Sequence, residues 1–200
     1  MSALIRRFLV LVVRLMVGAR ADWRGCAPDP RQRIYFANHN SHFDTVAIIA
    51  ALPYELRRLT HPVAARDYWN RNAVLRWIAE RGLRAVLIDR KPVRGEDPLG
   101  PAATVLEQGH SIIIFPEGTR GTGEEVGPFR AGLHRLATRF PEAEMIPVYL
   151  DNLQRILPKG SMLPVPVTCT ARFGAPVRPE PGEERSAFLE RARQAVLDLA

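Results

Sequence analysis

The chain alternates short apolar runs with longer stretches in which apolar residues recur every three or four positions. A short apolar run between turn residues predicts a buried strand, whereas the longer spacing predicts an amphipathic helix. The run SIIIF at 111–115 is the clearest strand. The predicted strands are 33–37, 62–65, 84–89, 111–115, 144–150 and 165–173. The predicted helices are 43–52, 68–81, 99–108, 130–140 and 183–199.

The predicted strands and helices follow one another in alternation, which favours βαβ units and parallel strands. Continuous apolar strands such as 111–115 fit burial on both faces of a sheet. The sequence therefore predicts a single α/β domain, a largely parallel mixed sheet flanked by helices, over 23–200. A length of 200 residues and a hydrophobic content of 46% suit one globular domain.

Residues 1–22 are predicted to form a separate N-terminal helix that associates with a membrane. Residues 1–20 contain Arg6, Arg7, Arg14 and Arg20 and no acidic residue. The apolar stretch is shorter than the ~20 residues that a bilayer span needs, and Arg14 interrupts it. A helix lying in the membrane interface fits this pattern. A cleaved signal peptide and an ordinary amphipathic helix packed on the domain remain alternatives.

The net charge of +7 favours anionic partners, including nucleic acid, acidic lipid, coenzyme A and an acidic carrier protein. The three tryptophans are not interleaved with a basic stripe, so nucleic acid is not an expected partner. Cys26 and Cys169 are too few for a disulfide framework, which favours a reducing compartment. Without a Cys-x-x-Cys or His-Glu-x-x-His spacing, no metal site is expected.

The first candidate site motif, 38–44 (NHNSHFD), directly follows a predicted strand. An aspartate at the start of the next helix, Asp44, can bend back to one ring nitrogen of His39 and leave the other free to take a proton. His42 is a rival base. Asp44 could alternatively serve only as a favourable charge at a helix N-terminus.

The second motif, 115–120 (FPEGTR), follows the strand at 111–115. Gly118 permits a tight turn, and the planar guanidinium of Arg120 suits a phosphate group. Arg90 follows another strand, and Arg130 opens a helix. A flexible surface loop and solvated arginines are the alternative interpretations. Because parallel strands end at one edge of a sheet, the two motifs are expected to converge there.

These motifs resemble those of the glycerolipid acyltransferases, the family that includes lysophosphatidic acid acyltransferase. Residues 38–44 resemble the family's Asn-His-x-Ser-x-x-Asp block, and 115–120 its third block. Residues 87–90 and 146–148 are similar to the second and fourth blocks. Residues 129–132 (FRAG) resemble a Phe-Lys-x-Gly segment with arginine in place of lysine. The resemblance covers roughly residues 33–150.

The resemblance implies that His39, oriented by Asp44, removes the proton from an acceptor hydroxyl. The resulting alkoxide would attack an acyl thioester, with acyl-CoA or acyl carrier protein as co-substrate and no cofactor. The acceptor implied first is 1-acylglycerol 3-phosphate, giving phosphatidate. The substrate-binding residues that it implies are Arg90, Glu117, Gly118, Thr119, Arg120 and Arg130.

Other functions stay open at this point. The acceptor could be a lyso-amino-acid lipid or glycerol 3-phosphate, the reaction could be hydrolysis, or the domain could bind anionic lipid without catalysis. The expected partners are a membrane lipid surface, the acyl donor and the lysophospholipid. The expected location is the cytoplasmic face of the cell membrane, in a peripheral or monotopic arrangement.

Overall fold

A seven-stranded sheet with helices on both faces forms the domain. The computed structural model describes residues 18–41, 43–89, 96–119, 121, 126–151 and 169–200. The strands are β1 (Arg20–Trp23), β2 (Arg33–Ala37), β3 (Thr60–Ala65), β4 (Val86–Ile88), β5 (Ser111–Ile114), β6 (Glu144–Asp151) and β7 (Thr170–Phe173). The helices are α1 (Asp44–Ala51), α2 (Tyr54–Arg58), α3 (Arg66–Trp69), α4 (Ala73–Trp77), α5 (Gly100–Glu107), α6 (Gly132–Arg139) and α7 (Arg185–Leu197), and a π-helix spans Ile78–Leu83.

The strand order is β1-β7-β6-β2-β5-β3-β4. The five strands from β6 to β4 are mutually parallel. β7 runs antiparallel to β6, and β1 runs parallel to β7. The five parallel strands therefore end at one edge, here called the carboxyl edge, and begin at the opposite, amino edge. The predicted largely parallel mixed sheet is confirmed.

Two apolar layers sandwich the sheet because alternate strand residues point to opposite faces. On β2, Tyr35 and Ala37 pack with α1, whereas Ile34 and Phe36 pack with α5, α6 and α7. β5 divides in the same way, with Ile113 on the α1 side. This double burial explains why the central strands are continuously apolar.

The last residues of the predicted N-terminal helix, 1–22, belong to the sheet instead. Residues 1–17 lie outside the described residues, but Arg20–Trp23 form strand β1. The ring of Trp23 stacks on Phe173 of β7 with centroids 4.1 Å apart. The predicted helix therefore does not extend to residue 22, and the α/β domain already includes Arg20.

The helix predicted over 68–81 is wrong as a single element. The chain forms α3, then turns at 70–72, then forms α4 and the π-helix. Asn70 and Asn72 are the first and last residues of the turn, and asparagine side chains compete for backbone hydrogen bonds. The π-helix ends at Arg84, whose φ of 55° is left-handed.

The remaining predicted helices and the strands 33–37, 84–89, 111–115 and 144–150 are confirmed within two residues at each end. The strand predicted over 62–65 begins earlier, at Thr60. Only residues 170–173 of the strand predicted over 165–173 form β7, and 165–168 lie outside the description. Helix α2 and strand β1 were not predicted.

Candidate active site

The side chain of His39 lies at the carboxyl edge, two residues after β2 ends at Ala37. Its Nδ1 is 2.8 Å from Oδ2 of Asp44, the first residue of α1. A carboxylate can only accept, so Nδ1 is the donor and Nε2 is left as the basic nitrogen. The imidazole is 21% exposed, which leaves it accessible to a ligand at this edge.

The carboxylate of Asp44 is 1% exposed and is held by main-chain donors. Besides His39, its Oδ2 accepts from the backbone N–H groups of Asn40 at 2.7 Å and Ser41 at 2.9 Å. These bonds fold the loop between β2 and α1 around the carboxylate. They also fit the favourable interaction of an acidic residue with a helix N-terminus. The two alternatives considered for Asp44 are therefore compatible.

The side chain of Glu117 reaches from the loop after β5 into the loop after β2. Its Oε1 accepts from the backbone N–H of His39 at 2.8 Å. Its Oε2 accepts from the backbone N–H of Gly127 at 3.0 Å. The residue is 7% exposed. The predicted convergence of the two motifs at one sheet edge is thereby observed directly.

Residues 118 and 130 are in close contact. Gly118 has a φ of 72°, which favours glycine, and a Cβ there would lie 2.6 Å from Nε of Arg130. That Nε donates to the carbonyl oxygen of Glu117 at 2.9 Å. The glycine is therefore required both by its backbone conformation and by the arginine packed against it. Arg130 itself remains exposed at the carboxyl edge.

Two further contacts fix His39. Its ring stacks on Phe115 with centroids 4.2 Å apart and an interplanar angle of 22°. Its carbonyl oxygen accepts from the backbone N–H of Gly121 at 2.9 Å. Phe115 belongs to the second motif, but this stacking was not predicted, because the residue closes an apolar run and looks like a strand residue.

The side chain of Asn38 connects the residue before His39 to strand β6. Its Oδ1 accepts from the backbone N–H of Leu150 at 2.8 Å, and its Nδ2 donates to the Leu150 carbonyl at 3.3 Å. This buried amide joins the ends of β2 and β6. An asparagine that pairs with both backbone groups of one residue acts like an added strand position, and here it ties the chain directly before His39 to β6.

No thiol nucleophile serves this edge among the described residues. Cys169 is buried, and burial together with the nearby carboxylates of Asp44 and Asp151 raises the pKa of its thiol to about 12. It therefore stays protonated near neutral pH. Within the described ranges there is also no cluster of three or more metal-ligating side chains.

The structure brings together His39, Asp44, Glu117 and Gly118, with Arg130 packed beside them. Thr119 is exposed in the same loop. Arg90, Arg120 and the rival base His42 lie outside the described residues. The predicted phosphate-binding role of the arginines and the rival role of His42 therefore stay predictions.

Comparison with known proteins identifies a family whose sequence model includes both motifs of the carboxyl edge. The sequence model of a family described as "Acyltransferase" matches residues 26–151, more than half of the chain and both motifs. The chain belongs to the acyltransferase family. The resemblance seen in the sequence is confirmed, and with it the expectation of an enzyme of the O-acyltransferase class.

Several curated relatives carry one name. The human 1-acyl-sn-glycerol-3-phosphate acyltransferase alpha is 28% identical over 208 residues, covering 98% of this chain and 69% of the relative. The mouse protein of that name is 30% identical over 188 residues, covering 88% and 61%. A coconut (Cocos nucifera) 1-acyl-sn-glycerol-3-phosphate acyltransferase is 26% identical over 160 residues, covering 76% and 47%.

The fold also has a counterpart among solved structures. The 1-acyl-sn-glycerophosphate (LPA) acyltransferase PlsC from Thermotoga maritima superposes with a TM-score of 0.70. The match covers 99% of this acyltransferase and 79% of the other chain, at 22% identity. Of the helices in the described part of the chain, none is both long and apolar enough to cross a bilayer.

Proposed function

We propose that this acyltransferase transfers a fatty acyl group from an acyl thioester to the free hydroxyl of 1-acylglycerol 3-phosphate, giving phosphatidate. The acyl donor is acyl-CoA or acyl carrier protein. The hydrogen bond between His39 and Asp44 carries the proposal, because it leaves a basic nitrogen at the carboxyl edge. The names of the human, mouse and coconut relatives support the acceptor.

The proposed role of His39 is that of a general base. Its Nε2 takes the proton of the acceptor hydroxyl as the oxygen attacks the thioester carbonyl. The buried carboxylate of Asp44 then faces the imidazolium that forms and stabilises its positive charge. This pairing lowers the free energy of the transition state more than that of the bound substrate.

The tetrahedral intermediate then collapses. The new carbon–oxygen bond remains, the carbon–sulfur bond breaks, and the proton on His39 passes to the departing thiolate. Transfer is direct, without an acyl-enzyme intermediate. In support, Cys169 is buried as the neutral thiol, and the motif offers no strand-to-helix nucleophile turn around Ser41.

Arginines bind the phosphate of the acceptor in this proposal. Arg120 is the main candidate by its place in the second motif, with Arg90 and Arg130 assisting. For Arg130 the structure adds an observation, because the Nε bond to Glu117 holds the exposed guanidinium at the loop that faces His39. Glu117, Gly118 and Thr119 shape the loop that these arginines border.

The proposed place of action is the membrane surface, at its cytoplasmic face. The net charge of +7 and the arginine-rich first 20 residues support attraction to acidic lipid. Val74 and Trp77 of α4 are also exposed, at 67% and 46%. They lie in the connection after β3, which leaves the sheet at the carboxyl edge, the edge that also holds His39.

An assay with purified protein tests the proposal. A panel of lysolipid acceptors, with and without phosphate, is combined with acyl-CoA and acyl carrier protein donors, alongside His39→Ala. General-base catalysis contributes about 10²–10⁴-fold, so we expect His39→Ala to lower kcat by that factor while the protein remains folded. Arg120→Ala should chiefly raise the KM for the phosphorylated acceptor.

Each alternative function has its own outcome. Release of free fatty acid without any acceptor would indicate a hydrolase. Vesicle binding that is unaffected by His39→Ala, with no turnover in the parent protein, would indicate a non-catalytic lipid-binding domain. Near-full transfer by His39→Ala together with loss in His42→Ala would assign the base to His42.

A further inference from the structure

The third block of the family pattern, residues 115–120, makes several contacts with His39. Both backbone groups of His39 bond to this block or to Gly121, the residue directly after it. The N–H donates to Oε1 of Glu117, and the carbonyl accepts from the N–H of Gly121. The ring stacks on Phe115, which directly precedes the block's Pro116. Asp44 contacts His39 itself through a single bond, to Nδ1 of the ring.

Glu117 contributes the buried part of this arrangement. Strand β2 has ended by residue 39, so the His39 N–H has left the sheet and needs another partner. Glu117 supplies one, and its second oxygen accepts from Gly127 on the far side of the loop. A carboxylate that accepts from backbone N–H groups forms stronger bonds than a neutral acceptor does.

The direction of the side chain separates this role from contact with a substrate. Glu117 is 7% exposed, and each of its carboxylate oxygens already accepts a main-chain hydrogen bond. Its carbonyl oxygen is also occupied, by Nε of Arg130. The side chain therefore points into the protein, whereas the neighbouring Thr119 is exposed.

We infer that Glu117 is a positioning residue, which holds the main chain of His39 and the loop at Gly127 at a fixed separation and acts on the reaction only through His39. The inference rests on the proposed function for its kinetic consequence. A displacement of about 1 Å in a reacting group can cost about 10²-fold in rate. An acceptor contact, by comparison, would act mainly on binding.

Glu117→Gln tests the inference with little change in shape. The amide retains one accepting oxygen but places an NH₂ group against the second backbone N–H, so one of the two bonds is lost. We expect kcat to fall at least tenfold while the KM for the acceptor changes less than about twofold. A raised KM with unchanged kcat would overturn the inference and restore the acceptor contact.

A matched control is available at the amino edge. Glu144 is also 7% exposed, but it bonds to Arg31 and Arg33 and not to the main chain of the site. Glu144→Gln should leave kcat unchanged at temperatures where both variants are folded. An equal fall in kcat for both variants would mean that Glu117→Gln acts by general destabilisation of the protein, and it would overturn the inference.

A second measurement does not depend on the reaction. In ¹H–¹⁵N NMR spectra, Glu117→Gln should shift the amide resonances of both His39 and Gly127 and the ring resonances of His39. Glu144→Gln should leave all three in place. If the parent protein transfers no acyl group, the proposed function fails while these shifts still test the positioning role. Unmoved His39 resonances in Glu117→Gln would refute it.

Discussion

The two edges of the sheet hold buried carboxylates by different means. At the carboxyl edge, Asp44 and Glu117 accept mainly from backbone N–H groups, which are neutral donors. At the amino edge, Glu144 accepts from Arg31 at 2.8 Å and from Arg33 at 3.0 Å, and Arg33 is itself 1% exposed. A negative charge next to His39 is thus solvated by amides, whereas that of Glu144 is neutralised by cations.

This difference decides what each carboxylate can do. The negative charge of Asp44 remains available to stabilise a proton on His39. The pKa of Glu144 would be raised by its burial, but hydrogen bonds from Arg31 and Arg33 outweigh burial and leave that pKa below its ordinary value. Glu144 is therefore an anion paired with two arginines, and buried carboxylates have separate roles at the two edges of the sheet.

Asp44→Asn should have the largest effect. All three hydrogen bonds of the Asp44 side chain are made by Oδ2, so an amide oxygen in that position can still accept from His39, Asn40 and Ser41, but the negative charge is lost. The imidazolium that forms on His39 during proton transfer would then lack the buried anion that stabilises it. We expect kcat to fall about 10³-fold or more, which corresponds to roughly 4 kcal/mol in the barrier, measured by steady-state acyl transfer.

The control for this variant is a measurement of its stability against denaturant. Asp44→Asn should unfold at nearly the same denaturant concentration as the parent, because the bonds to the two backbone amides persist. A large loss of stability with a proportionate loss of kcat would show that Asp44, like Glu144, serves the fold, and the contrast between the edges would disappear.

Glu144→Gln should have the converse effect. It leaves the buried guanidinium of Arg33 without a carboxylate, and breaking such a pair costs about 3 kcal/mol. Urea denaturation should show this loss of stability, and acyl transfer should stay at the parental kcat. A fall in kcat comparable to that of Asp44→Asn would contradict the division between the edges.

The ion pairs of Glu144 with Arg31 and Arg33 predict that the free energy of unfolding depends on pH. The pKa of Glu144 is lower in the folded protein than in the unfolded chain, so its contribution is complete above the ordinary carboxyl pKa of about 4.3. It is lost as the pH falls through the lowered pKa. The stability difference between the parent and Glu144→Gln should therefore shrink in acid, and a constant difference down to the lowest pH would argue against an ion pair.

The sequence predicted the His39–Asp44 pair, because its partners are side chains close together in the chain. It also predicted the convergence of the two motifs, since apolar runs such as 111–115 mark where strands end. The bonds of Glu117 were not predictable in this way. Its partners are main-chain groups of His39 and Gly127, and any residue type at those positions except proline offers the same N–H.

Strand β1 and the segment 68–81 show what sequence patterns do not reveal about secondary structure. β1 has four residues, none fully buried, and it pairs with Thr170–Phe173, about 150 positions later. No local periodicity encodes that pairing. Over 68–81 the apolar spacing was helical, but it could not reveal the turn at 70–72 or the π-helix that follows. Long-range pairing and local backbone alternatives thus account for the elements that the pattern missed.

The smallest expected effect concerns two exposed aromatic residues, one in the connection after β3 and one in the connection before it. Trp77 is 46% exposed in α4, which follows the carboxyl end of β3, and Tyr54 is 52% exposed in α2, just before β3 begins. If the carboxyl edge faces the membrane, Trp77→Ala should weaken binding to vesicles of acidic phospholipid several-fold, because tryptophan favours the interface. Tyr54→Ala should leave sedimentation with the vesicles unchanged. Equal losses in both variants would mean that the bilayer does not distinguish the edge that carries His39 from the edge that carries Glu144.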